Sequence, residues 1–247
     1  MKSLNSNIIG KAGLALTVTA LAGLAVTDAA AQDPKWDTSA GIGLTLTEGN
    51  SETLAAAANI KSKGNWENYA VTLGADANYG ENSGVKSAES YRGYLQYDRN
   101  ISERFYVFGR AEYYADTIAD IDYRFKLSPG FGWHLIKNDK VTLDVELGPG
   151  YVFQKVGGVN NDFASARVGN RFTYKLSDTA RLWQSAEFVP EVGDFANYLV
   201  TAEIGVEADL TKKMTLRTVL QDDYQSRPAA GRKANDIRLI SGVNYKF

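Results

Sequence analysis

From Thr38 to Phe247 apolar and polar residues alternate with a period of two, segment after segment. That period puts successive side chains on opposite faces of a β-strand, and little 3.6-residue spacing competes with it. The spacing predicts strands at 40–47, 54–63, 66–79, 90–100, 105–115, 123–135, 141–151, 164–175, 181–189, 198–209, 214–223 and 237–247. The sixth has the cleanest alternation. Tyr123, Phe125, Leu127, Phe131, Trp133 and Leu135 face one way; Arg124, Lys126, Ser128 and His134 face the other. The ninth is less regular, because Trp183 falls on its polar side. The last strand carries Ile237, Leu239, Val243, Tyr245 and Phe247 on one face, and its final residue is an aromatic one. An open sheet edge ending in an exposed Phe invites aggregation, whereas in a closed barrel the last strand pairs with the first.

The pattern alone permits a soluble sandwich with its apolar face buried. Two features favour a membrane barrel. Aromatics gather near strand ends (Trp66, Tyr69, Tyr79, Tyr97, Trp133, Tyr151, Tyr174, Tyr198, Tyr224 and Tyr245 among them), where interfacial girdles lie. The strands are also long for a soluble sheet, whose mode is about 5–6 residues. The expectation is an all-β, transmembrane, antiparallel up-and-down barrel of about 12 strands, an even number as in bacterial outer-membrane barrels. A mean hydropathy of −0.28 suits such a barrel, whose strands are half apolar.

Residues 1–31 read as a cleaved secretory signal peptide: Lys2 and Lys11, an apolar run over 12–26, then Ala29-Ala30-Ala31. The run is too short for a membrane-spanning helix, which needs about 20 residues. Residues 32–247 form the barrel domain, and 216/12 allots 18 residues to each strand and connection. The mature charge, (27 − 2) − (29 − 1) = −3, is too near zero to suggest a nucleic-acid partner. The chain has no Cys, so neither a disulfide nor a lipid-anchored cysteine enters the expectation. The expected partners are outer-membrane lipids and, through the C-terminal strand, the barrel-assembly machinery. The expected state is a monomer with both termini in the periplasm.

In a barrel the apolar face meets lipid and the polar face lines the lumen. The lining then holds Arg92, Arg110, Glu112, Arg124, Lys126, Asp144, Glu146, Arg167, Arg171, Glu203, Glu207, Arg217 and Arg238. Charges of both signs at that density form ion pairs rather than a catalytic carboxylate pair. His134 is the one histidine, so neither a zinc site nor another His-rich cofactor site is expected. Asp120 and Asp122, Asp222 and Asp223, and Asn160-Asn161-Asp162 lie at loop ends without an ordered cation-binding motif. Gly130-Phe131-Gly132 and Gly148-Pro149-Gly150 sit inside strands with no following helix, so they do not cradle phosphate. A three-residue turn near Asn138-Asp139-Lys140, with apolar faces matched, predicts paired residue numbers summing to 278. Gly130 then lies opposite Gly148, Gly132 opposite Glu146, and Pro129 opposite Pro149. The prolines should mark a bend, and Arg or Tyr side chains from across the barrel should fill the space above the glycines.

Several blocks resemble the salt-induced outer-membrane protein family, a bacterial domain of unknown function. They are the Gly49-Asn50-Ser51 turn, YRGYLQYDRNISERFYVFGRAEY at 91–113, DYRFKLSPGFGW at 122–133, LDVELGPGY at 143–151 and RPAAGRKANDIRL at 227–239. The likeness spans nearly all of the mature chain. It implies an outer-membrane location and a link to salt or envelope stress, and it brings no catalytic residue. Three classes of function follow: a narrow channel or envelope-structural barrel, which is the leading one; an outer-membrane hydrolase; and a barrel whose loops bind an extracellular ligand. Barrel hydrolases pair Ser with His on one strand, yet two residues beyond His134 stands Ile136, so no enzyme is expected.

Overall fold

A computed structural model describes residues 34–47 and 53–247; the side chains at 45–47 and 53 lie outside the described set. The signal-peptide reading of 1–31 and the Glu48–Ser51 turn also lie outside the described residues. Among the described residues thirteen strands follow in chain order: β1 Lys35–Thr47, β2 Thr53–Asn65, β3 Tyr69–Asn82, β4 Val85–Asn100, β5 Phe105–Asp116, β6 Ile121–Lys137, β7 Val141–Val156, β8 Val159–Asn160, β9 Phe163–Lys175, β10 Ala180–Glu191, β11 Asp194–Asp209, β12 Met214–Gln225 and β13 Asn235–Lys246. The two-residue β8 is a flap on β7. The other twelve pair antiparallel around a ring, closed where β6 meets β7 and where β1 meets β13. The fold is a closed twelve-stranded barrel of the outer-membrane type.

The strands run further than the alternation indicated. The connection expected over 80–89 is instead a hairpin turning on Ser83 and Gly84, with φ of 50° and 77°. Two left-handed residues make the turn whose twist matches that of its strands. At the other end β3 begins at Tyr69 rather than Trp66, which lies in the turn. One end of the barrel therefore carries the three- to four-residue turns at 66–68, 101–104, 138–140, 176–179 and 210–213, together with Lys35 and Phe247. The opposite end carries the connections at 83–84, 117–120, 157–162, 192–193 and 226–234. These are called the turn end and the loop end below.

The outward face is apolar. Ile42, Leu44, Leu73, Leu95, Leu127, Leu147, Ile204, Leu220 and Leu239 are exposed on the outer wall. Aromatics flank this band at both ends. Near the turn end Trp36, Trp66, Tyr69 and Tyr97 touch in succession at 5.7, 4.6 and 5.9 Å, and Phe105 stacks on Trp133 at 5.4 Å. Near the loop end Phe188, Tyr198 and Tyr224 do the same at 5.5 and 5.4 Å. An exposed apolar belt between two aromatic rings is what a bilayer requires of a barrel. The predicted outward residues of β13 comply: Ile237, Leu239, Tyr245 and Phe247 are exposed and Val243 is half-buried.

The closing seam is uneven. β1 and β13 share four residue pairs, from Ser39–Lys246 to Ile42–Val243, whereas β1 and β2 share thirteen. Phe247 N donates to Thr38 O and Lys246 N to Lys213 O, so odd-numbered amides of β13 face β1 and even-numbered ones face β12. The amides of Leu239 and Ser241 consequently point at the end of β1, where no ladder pair with β13 is present among the described residues. An unmatched amide at membrane depth is costly, which makes this seam the weakest part of the ring. Hydrogen exchange in detergent micelles should be faster at the Leu239 and Ser241 amides than at Arg238 and Ile240, which pair with β12. Equal protection on both sides would mean that the seam is closed along its length.

Candidate functional site

The lumen is the site, and the inward positions decide its shape. At the loop end some of them are apolar. Val152, Phe163, Val189 and Leu199 form a buried cluster inside the barrel. Tyr114, Ala119 and Ile121 form a second, packed against Val156. Polar ties cross the barrel beside them. Arg92 Nη2 meets Asp223 Oδ1 at 2.6 Å. Arg238 reaches Asp223 and Asp116, each at 3.3 Å. Arg124 donates from Nε to Gln154 and from Nη2 to Gln225, both at 2.7 Å. The Arg92–Asp223, Arg238–Asp116 and Arg124–Gln225 ties each join strands five places apart around the ring, whereas Arg238 and Asp223 stand on the neighbouring strands β13 and β12. A space of about 20 Å³ lies here, lined by Arg92, Arg124, Asp223 and Gln225 among others. That is room for about one water.

Below this layer lies a buried ion network with Glu187 at its centre. Lys126 Nζ approaches Glu187 at 2.5 Å, Arg167 Nε at 2.6 Å and Arg110 Nε at 3.9 Å. Glu112 takes Arg110 at 2.6 Å and Lys126 at 2.9 Å. Glu146 takes Arg167 at 2.8 Å and accepts from Gln96 at 2.8 Å and from the Tyr106 hydroxyl at 2.9 Å. Every acidic oxygen of this group that approaches a cation therefore has a defined partner, as buried charge demands.

Toward the turn end the lumen widens into a cavity of about 310 Å³. The inward positions of the surrounding wall explain it: Gly41 and Gly43 on β1, Ala57 on β2, Gly74 on β3, Ser185 on β10, Gly205 on β11 and Gly242 on β13 are all small. Arg181 pairs with Glu207, which also receives Arg217 at 3.4 Å. Trp183 is inward as well. It lies beside Gly205, where an added Cβ would fall 2.6 Å from its ring, and the Arg217 guanidinium sits 5.0 Å from its ring centre. The irregularity of the ninth predicted strand is thus a lumen tryptophan accommodated by a glycine.

The glycine and proline patch pairs in the predicted register. Phe125–Phe153, Leu127–Tyr151, Phe131–Leu147 and Gly132–Glu146 all sum to 278, and the β6–β7 ladder is interrupted over 128–130, where Pro129 faces Pro149. The occupants of the space above the glycines differ from expectation. They come from the adjacent strand β5, not from across the barrel. An added Cβ on Gly130 would meet Phe108 at 2.7 Å, and one on Gly132 would strike the Tyr106 ring. Both aromatics are buried, and the Arg167 guanidinium lies 5.1 Å from the Phe108 ring centre.

All thirteen predicted lining residues face inward, but not all are ion-paired. Arg124 is held by amides, and Arg171 and Glu203 have no ion partner within 4.0 Å among the described residues. Asp144 pairs with His134 Nδ1 at 2.6 Å, and His134 also stacks on Tyr106 at 4.9 Å. A His–Asp pair orients a general base when a nucleophile bonds to the other ring nitrogen; no hydroxyl is bonded there among the described residues. Asp222 and Asp223 point to opposite faces of β12, and no three metal-ligating side chains converge among the described residues. Glu187, Tyr106 and the apolar cluster were not anticipated. The cluster had a visible signal: Tyr151-Val152-Phe153, Phe188-Val189-Pro190 and Tyr198-Leu199-Val200 are apolar on both faces.

The model of the family described as "Protein of unknown function, DUF481" matches residues 40–247, and the chain belongs to that family. No curated protein sequence matches it. Among solved structures it is similar to the NanC porin, at 10% identity and a TM-score of 0.53, covering 85% of this chain and 100% of that one. It is also similar to the COG4313 outer membrane channel from Pseudomonas putida F1, at 8% identity and a TM-score of 0.52, covering 87% and 96%. At such identities the likeness is one of fold.

Proposed function

We propose that this barrel is a narrow channel of the Gram-negative outer membrane, passing at most small ions and solutes. The observation that carries this reading is the asymmetric lumen: a 310 Å³ polar cavity meets a constriction of 20 Å³ built from side chains rather than from a plug domain. Twelve strands lie between barrels filled by side chains and barrels with an aqueous channel, so the lining sets what passes. Both termini and the turn end face the periplasm, and the loop end faces outside. The family likeness adds a role in salt or envelope stress. The C-terminal strand, with Leu239, Val243, Tyr245 and Phe247 outward, is the element offered to the assembly machinery, and the working state is a monomer.

Planar-bilayer recording tests the channel. Conductance should be small and should rise more than in proportion to salt, because screening loosens the pairs of the constriction. Arg124→Ala should raise it, since Arg124 spans the narrow layer. Arg171→Ala should not, since Arg171 lies in the wide cavity. A protein silent in both wild-type and Arg124→Ala forms has an envelope-structural role instead. Orientation has its own test. Cysteine at Asn160, on the loop end, should react with an impermeant thiol reagent on intact cells, and cysteine at Asn138, in a turn, should not; inverted labelling reverses the topology.

A further inference from the structure

Thirteen charged side chains line the turn-side cavity. Nine of them are ion-paired within 4.0 Å. The four that are not, among the described residues, are Lys61, Arg171, Asp76 and Glu203: two cations and two carboxylates. Their failure to pair with one another follows from where the strands put them. Arg171 and Glu203 share a rung with Ser185 between them, so their backbones stand two strand spacings apart, about 9.6 Å. The short serine leaves the space between the two charges open. Lys61 is level with Gly74 on β3, and Asp76 lies two residues further toward the loop end.

The surroundings sort the four by sign. The charged groups that act most strongly on Lys61 are Arg171, Lys63, Arg181 and Arg217, all cations. Asp76 sits beside Arg92, but that guanidinium is committed to Asp223 at 2.6 Å, and the other charges around Asp76 are Glu203, Asp223 and Glu112. The cavity thus has a cationic pole and an anionic pole whose nearest counter-charges are engaged elsewhere: Asp144, cross-strand from Arg171, by His134, Glu146 by Arg167, and Arg92 by Asp223. Trp183 adds a donor: its Nε1 is buried without a hydrogen-bond partner, on the same cavity wall as Arg217.

We propose that this cavity binds a small zwitterion, with its carboxylate between Lys61 and Arg171 and its ammonium between Asp76 and Glu203. A lone anion would satisfy the cationic pole and leave the carboxylates facing one another. A lone cation would do the reverse. A solute bearing both charges neutralises both poles, and a 310 Å³ cavity is of the size that takes small molecules. The inference deepens the channel reading by naming the class of solute that the lumen takes.

The test is equilibrium binding to the folded, full-length barrel in detergent, which needs no conduction. The probes are 4-aminobutyrate, butyrate and butylamine, at one ionic strength. Trp183 reports on the cavity, because Trp36 and Trp133 lie on the outer wall and Trp66 is in a turn; calorimetry supplies a second readout. The zwitterion should bind at least about tenfold more tightly than either single-charge analogue, since each adds or loses a charged hydrogen bond. Glu203→Gln should weaken 4-aminobutyrate to near the level of butyrate, and Arg171→Gln to near that of butylamine. If Glu203→Gln loses heat-modifiable migration, Asp76→Asn takes its place with the same expected result. Butyrate binding as well as 4-aminobutyrate, or better, overturns the proposal in favour of an anion site. Butylamine doing so overturns it in favour of a cation site. No saturable signal by fluorescence or by calorimetry overturns it outright. A barrel that binds the zwitterion yet shows no bilayer current loses the channel reading and keeps the site.

Discussion

Gly148→Ala is expected to abolish most of the folded yield. Gly148 is an inward position of β7 opposite Gly130, and a Cβ there would collide with the Pro129 carbonyl and fall 2.8 Å from Gly130 Cα. Those atoms are backbone, so no rotamer change relieves the contact. The β6–β7 seam must separate at the place where its ladder is already interrupted by two prolines. The cost should reach about 3 kcal/mol, the upper part of the usual overpacking range, and a closed ring has no free edge to absorb it. Gly109→Ala is the control, because nothing lies within 4 Å of a Cβ at that position. Yield and heat-modifiable migration after refolding into detergent provide the comparison. If Gly148→Ala folds as well as Gly109→Ala, the patch reflects tolerance of glycine rather than a requirement for it. Gly132→Leu should also fail, for a different reason: it would displace Tyr106, which donates to Glu146 at 2.9 Å.

The outer wall was legible in the sequence because one solvent dictates it. Every lipid-facing position answers to the same bilayer, so Ile42, Leu127, Leu220 and Leu239 obey one rule and alternation reveals them. The register of the Gly130 and Gly148 strands was legible too, because a one-residue slip would turn the apolar face inward and a short turn leaves few alternatives. The inside was harder to read, since a narrow lumen obeys two rules. Toward the turn end inward positions meet water and ions, while toward the loop end they meet one another. Val152, Val189 and Leu199 are inward and apolar for the second reason, and alternation alone cannot distinguish them from irregular strand. Glu187 was missed because Trp183, two inward positions away, made β10 look like a weak strand. Pairing partners such as Arg92–Asp223 lie five strands apart, and which long side chain reaches which carboxylate depends on barrel diameter and strand stagger rather than on local pattern.

The Glu187 carboxylate should prove the costliest single side chain of the lumen to remove. It faces Lys126 and Arg167 at 2.5 and 2.6 Å, with Arg110 at 3.9 Å. Its side chain is only 12% exposed and that of Lys126 only 9%. Glu187→Ala would leave three cations with Glu112 and Glu146, which are already engaged. Breaking a buried pair from one side costs about 3–5 kcal/mol, because the surviving charges stay desolvated. A loss of about 3 kcal/mol in denaturant unfolding from lipid or detergent is therefore expected. Glu187→Gln keeps the volume and an acceptor, so it should lie between wild type and Glu187→Ala. The double replacement Glu187→Ala with Lys126→Ala should be less harmful than the sum of the single ones, since removing Lys126 discards one stranded charge. A loss under about 1 kcal/mol, with additive singles, would place these pairs with solvent-screened surface bridges, and the lumen would then be wetter throughout than its burial implies. The same variants bear on transport. The Glu187 network lies directly below the Arg92–Asp223 and Arg124–Gln225 layer, and Lys126 and Glu112 line the 20 Å³ space within it. Loosening the network should release Lys126 from the constriction and raise conductance along with the loss of stability, whereas a purely structural network would lose stability with no change in current.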